Sequence, residues 1–250
     1  MAITVSTAES KKELFRVFRN RLHAFKHVEG YPIVDDPCSG MEIDRYDCLA
    51  RTLQFIARKK TGIVGFVRLV SQGERANEQD IPLDDRFVID FDSAGSRYKG
   101  QKRGEVGRLF VEASSRGEGV ASNLCRVMCK ESLKRGVTVW QSAASMDTDD
   151  EREANDIYLQ LDRRGYVRRD VRVKMKAAER PTRSSRPFFK TPFERHSAQL
   201  GMARRVPAAV IADASLGAVF VGRPYFEAEI GRYAMPFFAY VPDVLARFRR

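Results

Sequence analysis

Residues 105–125 read Glu-Val-Gly-Arg-Leu-Phe-Val-Glu-Ala-Ser-Ser-Arg-Gly-Glu-Gly-Val-Ala-Ser-Asn-Leu-Cys. Residues 105–112 carry the strand-forming side chains Val106, Leu109, Phe110 and Val111, and they predict a β-strand. Arg116, Gly117, Glu118 and Gly119 then predict a tight turn. Val120, Leu124, Val127, Met128 and Leu133 follow at helical spacing. A helix that starts directly after a glycine turn leaves its first backbone N–H groups unpaired, with the positive end of its dipole behind them. Small residues at that point, Gly117, Gly119 and Ala121, let a phosphate-bearing group approach the backbone closely. The same pattern also occurs as an ordinary strand-to-helix turn, so neighbouring segments must decide.

Downstream, residues 137–142 predict a strand, 151–164 a helix and 166–175 a further strand. Upstream, Ser10 and Glu13 form a capping box for a helix carrying Leu14, Phe15, Val17, Phe18, Leu22 and Phe25, which ends near Gly30. Residues 52–58 and 63–70 predict a hairpin, and 71–104 a loop with one or two helical turns. Helices alternating with strands indicate an α/β layered protein with a mixed central sheet flanked by helices. Residues 1–178 form the expected core. Residues 179–250 are expected to be a basic linker and a C-terminal extension, either separate or completing the same sheet. In that extension, 208–211, 218–221 and 233–241 are strand candidates.

A chain of 250 residues that is 43% hydrophobic and 31% charged can bury a core without disulfides or metals. The apolar stretch 206–221 is interrupted by Pro207 and Asp213 and is too short to span a bilayer. The early charges Glu9, Lys11, Lys12 and Glu13 argue against a secretory leader, so a cytoplasmic location is expected. Cys125 and Cys129 read as buried small hydrophobes, and no metal site is expected. The net charge of +11 is concentrated: from Arg163 to Arg205 fourteen Lys and Arg stand against Asp170, Glu179 and Glu194. Such a zone fits an acidic partner or a solvated loop. No helix-turn-helix, zinc-finger or aromatic-basic pattern marks a nucleic-acid binder.

The Arg116-x-x-Gly119-x-Ala121 turn resembles the acyl-donor pyrophosphate turn of the Gcn5-related N-acetyltransferase (GNAT) superfamily. Residues 157–166, Ile-Tyr-Leu-Gln-Leu-Asp-Arg-Arg-Gly-Tyr, resemble its second motif. Arg21 and Phe25, then Glu42-Ile43-Asp44-Arg45-Tyr46-Asp47, Gly65-Phe66-Val67-Arg68-Leu69 and Glu105-Val106-Gly107-Arg108-Leu109, resemble the acyl-homoserine-lactone autoinducer synthases. They resemble the long-chain N-acyl amino acid synthases still more closely. Tyr31 stands where autoinducer synthases carry a Trp, and they usually lack the Arg-x-x-Gly-x-Ala turn; both points favour the amino acid synthases.

The resemblance implies a GNAT-like α/β fold and transfer of a fatty acyl group from acyl carrier protein to the amino group of an amino acid. The alternatives are a lactone synthase consuming S-adenosylmethionine and an acetyltransferase using acetyl-CoA. It implies no tightly bound cofactor; the donor is a phosphopantetheine thioester of acyl carrier protein or of CoA. Donor-binding residues would be Arg116, Gly117, Gly119, Val120, Ala121 and Tyr158. Acceptor-binding residues would be Arg21, Asp44, Asp47, Arg68 and Arg108, for which a structural ion-pair network is the competing explanation. Glu105 is the candidate base. A salt bridge to Arg108 is its alternative role, although residues three apart on a strand point to opposite faces. Backbone N–H groups near Phe110 and Val111 would polarise the thioester carbonyl. Arg116, Arg126, Arg163, Arg164, Arg168 and Arg169 are candidates for docking the acidic carrier protein.

Overall fold

The computed structural model describes residues 3–32, 40–60, 62–74, 80–176, 206–228 and 230–248. Strand β1 (Thr4–Thr7) precedes helix α1 (Lys11–Leu22), whose Ser10–Glu13 capping box is formed as read. A π-helical turn, His23–Val28, prolongs α1 toward Gly30. Strands β2 (Thr52–Lys59) and β3 (Gly62–Ser71) make the expected antiparallel hairpin. After a 3-10 turn (Pro82–Asp85) come β4 (Phe87–Ile89), β5 (Lys102–Val111), helix α2 (Val120–Lys134), β6 (Val137–Ser145) and helix α3 (Glu151–Arg163). Then follow β7 (Val167–Arg168), β8 (Val173–Met175), helix α4 (Ala208–Ser215), β9 (Val219–Val221), β10 (Tyr225–Glu227), β11 (Arg232–Tyr240) and helix α5 (Val241–Arg247).

Among the described residues nine strands form one mixed sheet in the order β1-β2-β3-β5-β6-β11-β9-β7, with β10 beside β11. The expected α/β class with a mixed sheet flanked by helices is what the chain adopts. Strand β11 runs antiparallel to β6 from Tyr240 opposite Val139 to Ala234 opposite Ser145. Alternate side chains of these strands feed opposite faces. On one face, Phe55, Leu69, Trp140 and Ala239 pack under α2 and α5. On the other, Ile56 and Phe66 pack under Val17, Phe18 and Phe25 of the N-terminal helical segment. Burying a phenylalanine such as Phe55 contributes about 1.5–3 kcal/mol.

Three expectations are corrected. Residues 208–211 form a helix rather than a strand: Ala-Ala-Val-Ile-Ala-Asp-Ala-Ser is rich in the best helix former, and Val210 and Ala214, four apart, are its buried pair. The single strand expected over 166–175 is two strands. The chain turns at Asp170, which is ion-paired to Arg168, and β8 leaves for a separate two-stranded sheet with β4. Strand β4 itself lies in the segment expected to be loop and helical turns. The linker 179–205 lies outside the described residues.

Strand β3 meets α2 at Gly65, where an added Cβ would stand 2.8 Å from Val120 Cγ1 and 3.0 Å from the Phe110 carbonyl oxygen. The missing side chain is what lets the helix settle on the sheet. Gly65→Ala is therefore expected to lower unfolding free energy by about 1–3 kcal/mol, the usual cost of overpacking; an unchanged urea midpoint would contradict this account of the contact.

Candidate active site

Strands β5 and β6 pair in parallel only from Lys102 to Glu105, against Val137 to Gln141. Beyond Glu105 they part, because β5 stays with β3 while β6 continues along β11. The gap opens a cleft of 660 Å³ whose walls include Val106–Leu109 of β5 and Ser142–Ser145 of β6. Ladder register between β3 and β5 slips between Phe66 and Arg68, placing an extra residue at Arg108–Leu109. Arg108 has φ +58°, a left-handed conformation that a non-glycine residue adopts only when its surroundings hold it there. The irregular backbone thus falls at 108–109, before the Phe110 and Val111 positions expected to supply thioester donors; those two pair regularly with Phe66 and Gly65.

Four separate segments bring the charged residues together. Arg21 is fully buried; its Nε donates to Glu42 Oε2 at 2.5 Å and its Nη1 to Asp47 Oδ1 at 2.7 Å. Arg68 Nη1 lies 2.6 Å from Asp44 Oδ2 and 3.1 Å from Asp47 Oδ1. Arg108 Nη2 reaches Glu42 Oε1 at 2.9 Å and Asp44 Oδ2 at 3.4 Å. The Gln54 amide adds a bond to Asp47 Oδ1 at 2.8 Å. Burial alone would raise the Asp47 carboxyl pKa, but the Arg21 and Arg68 guanidinia hold it well below the usual carboxylate range. Arg68 is raised for the reciprocal reason: Asp44 and Asp47 outweigh its desolvation. Asp44 and Arg108 line the cleft, whereas Arg21, Asp47 and Arg68 lie behind them. Glu42, not singled out in advance as a site residue, bridges Arg21 to Arg108 and also lines the cleft. Its sequence signal was its place at the head of the Glu42–Asp47 motif.

Glu105 stands at the point where the strands part, its side chain nearly buried. It accepts a hydrogen bond from the Leu83 backbone N–H. Desolvation pushes its pKa up, Arg68, Arg86 and Arg108 pull it back, and the balance is about 7. A carboxyl titrating there is suited to exchange protons at neutral pH. Arg86, ion-paired with Glu227, and Tyr31, stacked on Phe25 at 5.8 Å, also line the cleft. The Arg232 guanidinium sits 4.7 Å from the centre of the Tyr31 ring.

At the turn expected to bind the donor, Gly119 has φ +79° and serves as the N-cap of α2 without any side-chain cap. The first intrahelical bond runs from Asn123 N to Gly119 O, leaving the N–H groups of Val120, Ala121 and Ser122 open. Ala121 and Ser122 face the cleft. Arg116 ties the turn down through Nε to the Val111 carbonyl and Nη2 to Glu29, both at 3.1 Å. Tyr158 packs in the core with Met146 and Phe237, its ring 5.2 Å from the Arg223 guanidinium, and does not line the cleft. Of the expected carrier-docking arginines, Arg168 and Arg169 pair with Asp170 and Asp162. Arg126, Arg163 and Arg164 are exposed. Burial raises the Cys125 thiol to about 12 and pushes Cys129 upward too, so neither is poised as a nucleophile. Among the described residues no helix is long and apolar enough to cross a membrane.

A buried pair that loses one partner costs about 3–5 kcal/mol, because the survivor keeps its desolvation penalty. Asp47→Asn is expected to destabilise the fold by that amount in chemical denaturation, with part recovered by adding Arg21→Met; a loss below about 1 kcal/mol would show that water compensates the network.

Residues 17–126 match the family described as the acetyltransferase (GNAT) domain. That span runs from α1 through the charged network and Glu105 into α2. No curated protein matches the chain in sequence. Among solved structures the chain is similar to FeeM, an N-acyl amino acid synthase from uncultured soil microbes, at 13% identity and TM-score 0.54, covering 99% of this chain and 98% of that one. It is similar to BjaI, a CoA-dependent acyl-homoserine lactone synthase, with MTA, at 13% identity and TM-score 0.55, covering 99% and 88%. It is also similar to an aminoglycoside 6'-N-acetyltransferase complexed with coenzyme A, at 13% identity and TM-score 0.50, covering 96% and 97%. The parted strands, the open helix N-terminus and the matched domain lead to one conclusion: the chain has a GNAT-like fold, and its residues 17–126 match an acetyltransferase (GNAT) domain.

Proposed function

We propose that the protein transfers a fatty acyl group from acyl carrier protein to the amino group of an amino acid. The observation that carries this reading is Glu105: a buried carboxyl of pKa about 7, on the cleft wall between the charged network and the donor helix. The amine nitrogen attacks the thioester carbon, Glu105 takes the N–H proton, directly or through water, and the C–S bond breaks as the thiol leaves with a proton. Backbone N–H groups at the Arg108–Leu109 bulge are the proposed donors to the carbonyl oxygen. Asp44 and Glu42 would receive the ammonium group and Arg108 the acceptor carboxylate, while Arg21, Arg68 and Asp47 position them.

The open N–H groups of α2, with Arg116, Gly117, Gly119, Val120 and Ala121, would hold the phosphate of the pantetheine arm. Tyr158 would act there only by supporting α3 from the core. Exposed Arg126 on the donor helix, with Arg163 and Arg164, offers positive charge to an acidic carrier. The full-length similarity to FeeM supports an amino acid as acceptor. On this reading the enzyme works in the cytoplasm.

Purified protein incubated with long-chain acyl carrier protein, the matching acyl-CoA, mixed amino acids and S-adenosylmethionine should yield an N-acyl amino acid by mass spectrometry. A homoserine lactone would reassign the acceptor, and transfer only from acetyl-CoA would overturn the long-chain reading. A raised carboxyl pKa means the base is protonated and idle below it, so kcat/KM should rise with pH through about 7. Glu105→Gln should lower kcat/KM by about 10²–10⁴-fold and abolish that limb; a variant that keeps the same pH profile would remove Glu105 from the base role.

A further inference from the structure

Helix α1 and the π-helical segment after it point Val17, Phe18, Leu22 and Phe25 inward, and the face they present to solvent is built almost wholly of basic side chains. Lys12, Arg16, Arg19, His23 and His27 follow one another at spacings of three and four, which sets them in one row about 20 Å long. All five are exposed, as is Lys11 beside them, and the His23 and His27 rings lie 5.6 Å apart. Glu13 is the only acidic residue from Lys11 to Val28, and it is turned toward Arg58 of β2. Beyond the two ends of the row stand Glu9, exposed, and Glu29, ion-paired with Arg116. Among the described residues Lys11, Lys12, Arg16 and Arg19 enter no ion pair.

An ordinary solvated helix face mixes signs, because opposite charges one turn apart support a helix and like charges weaken it. This row does the reverse: Lys12 neighbours Arg16, and Arg16 neighbours Arg19. Packing against the sheet does not require that arrangement, since none of the three is buried. Apolar groups stand within the same surface. Phe15, one turn from Lys11, Lys12 and Arg19, is 52% exposed, and Val28 at the far end is 50% exposed. A surface of one sign with an aromatic ring and an aliphatic side chain among its charges matches an anionic lipid surface, where headgroups meet the cations and the apolar groups pass between them. A nucleic acid would answer the cations and could stack on Phe15, but it offers nothing to Val28. The face also lies across the sheet from α2, whose Arg126 is the candidate for docking a carrier, so the two surfaces are separate.

We propose that this face of α1 docks the protein on an anionic membrane surface, with Phe15 and Val28 entering the headgroup layer. The inference does not depend on the acyl-transfer reading.

Flotation of the purified full chain tests it, with vesicles of phosphatidylcholine alone and of equimolar phosphatidylcholine and phosphatidylglycerol. Wild type should bind the mixed vesicles and not the neutral ones, and added salt should release it. Each cation at such a surface contributes about fivefold, so Lys12→Ala/Arg16→Ala/Arg19→Ala should weaken partitioning about 100-fold. Phe15→Ser should weaken it about fivefold. Arg126→Ala/Lys130→Ala/Arg135→Ala removes the same charge from α2 and should stay within about twofold of wild type. Circular dichroism checks folding; if the α1 triple variant does not fold, Arg16→Gln/Arg19→Gln carries the comparison, with a loss of about 25-fold. Equal losses from the α1 and α2 variants would reduce the effect to net charge and overturn the proposal, as would binding to neither vesicle or to both alike. Tighter binding to a single-stranded oligonucleotide or to acyl carrier protein than to the mixed vesicles, lost in the same α1 variant, would give the face to that partner and overturn the lipid assignment.

Discussion

Arg21 is a guanidinium with no access to water, and its environment explains much of the active half of the molecule. A charge buried that far is tolerable only if carboxylates surround it and if their remaining valences are filled in turn. Glu42 and Asp47 meet it, Arg68 and Arg108 meet their neighbours, and the chain of pairs ends at the cleft. Four segments distant in sequence, the end of α1, residues 42–47, β3 and β5, are thereby tied to one another. The network also explains how Arg108 can keep a left-handed backbone: its side chain is anchored on two carboxylates, which offsets the local strain.

The same arrangement sets the electrostatics of Glu105. Desolvation works to neutralise it, and Arg68, already engaged by two aspartates, provides only part of its positive charge as compensation. A carboxyl left between these influences is neither a firm ion nor a firm acid. The geometry that places it there is the parting of β5 from β6, so this carboxyl's position and the opening of the cleft arise from a single break in strand pairing.

Much of this was legible in the sequence because it rests on local rules. The Ser10–Glu13 box, the hairpin around residues 59–62 and the glycine turn before Val120 depend on neighbours a few residues apart. The motif order that resembled long-chain acyltransferases picked out Arg21, Asp44, Asp47, Arg68, Glu105 and Arg108, and the structure brings all six into one neighbourhood. What the sequence concealed was long-range. Nothing local marks Arg108 as the bulge, since any residue can be forced to φ above zero by its partners. The stretch 208–215 mixes β-branched residues with alanines and could be read either way; tertiary packing of Val210 and Ala214 decided for a helix. Glu42 headed a quoted motif without being given a role, because its pairing with Arg21 and Arg108 is created by segments far away.

The pairing of β11 with β6 carries a consequence for synthesis. Ala234 is bonded opposite Ser145, a separation of about ninety residues. At about 5–20 residues per second on the ribosome, the edge of β6 would stand open for roughly 5–20 s. During that interval Ser142–Ser145 would present unpaired backbone groups and the cleft would lack its far wall, a state open to strand-mediated association. Expression at high rates or temperatures would therefore be expected to press on this edge.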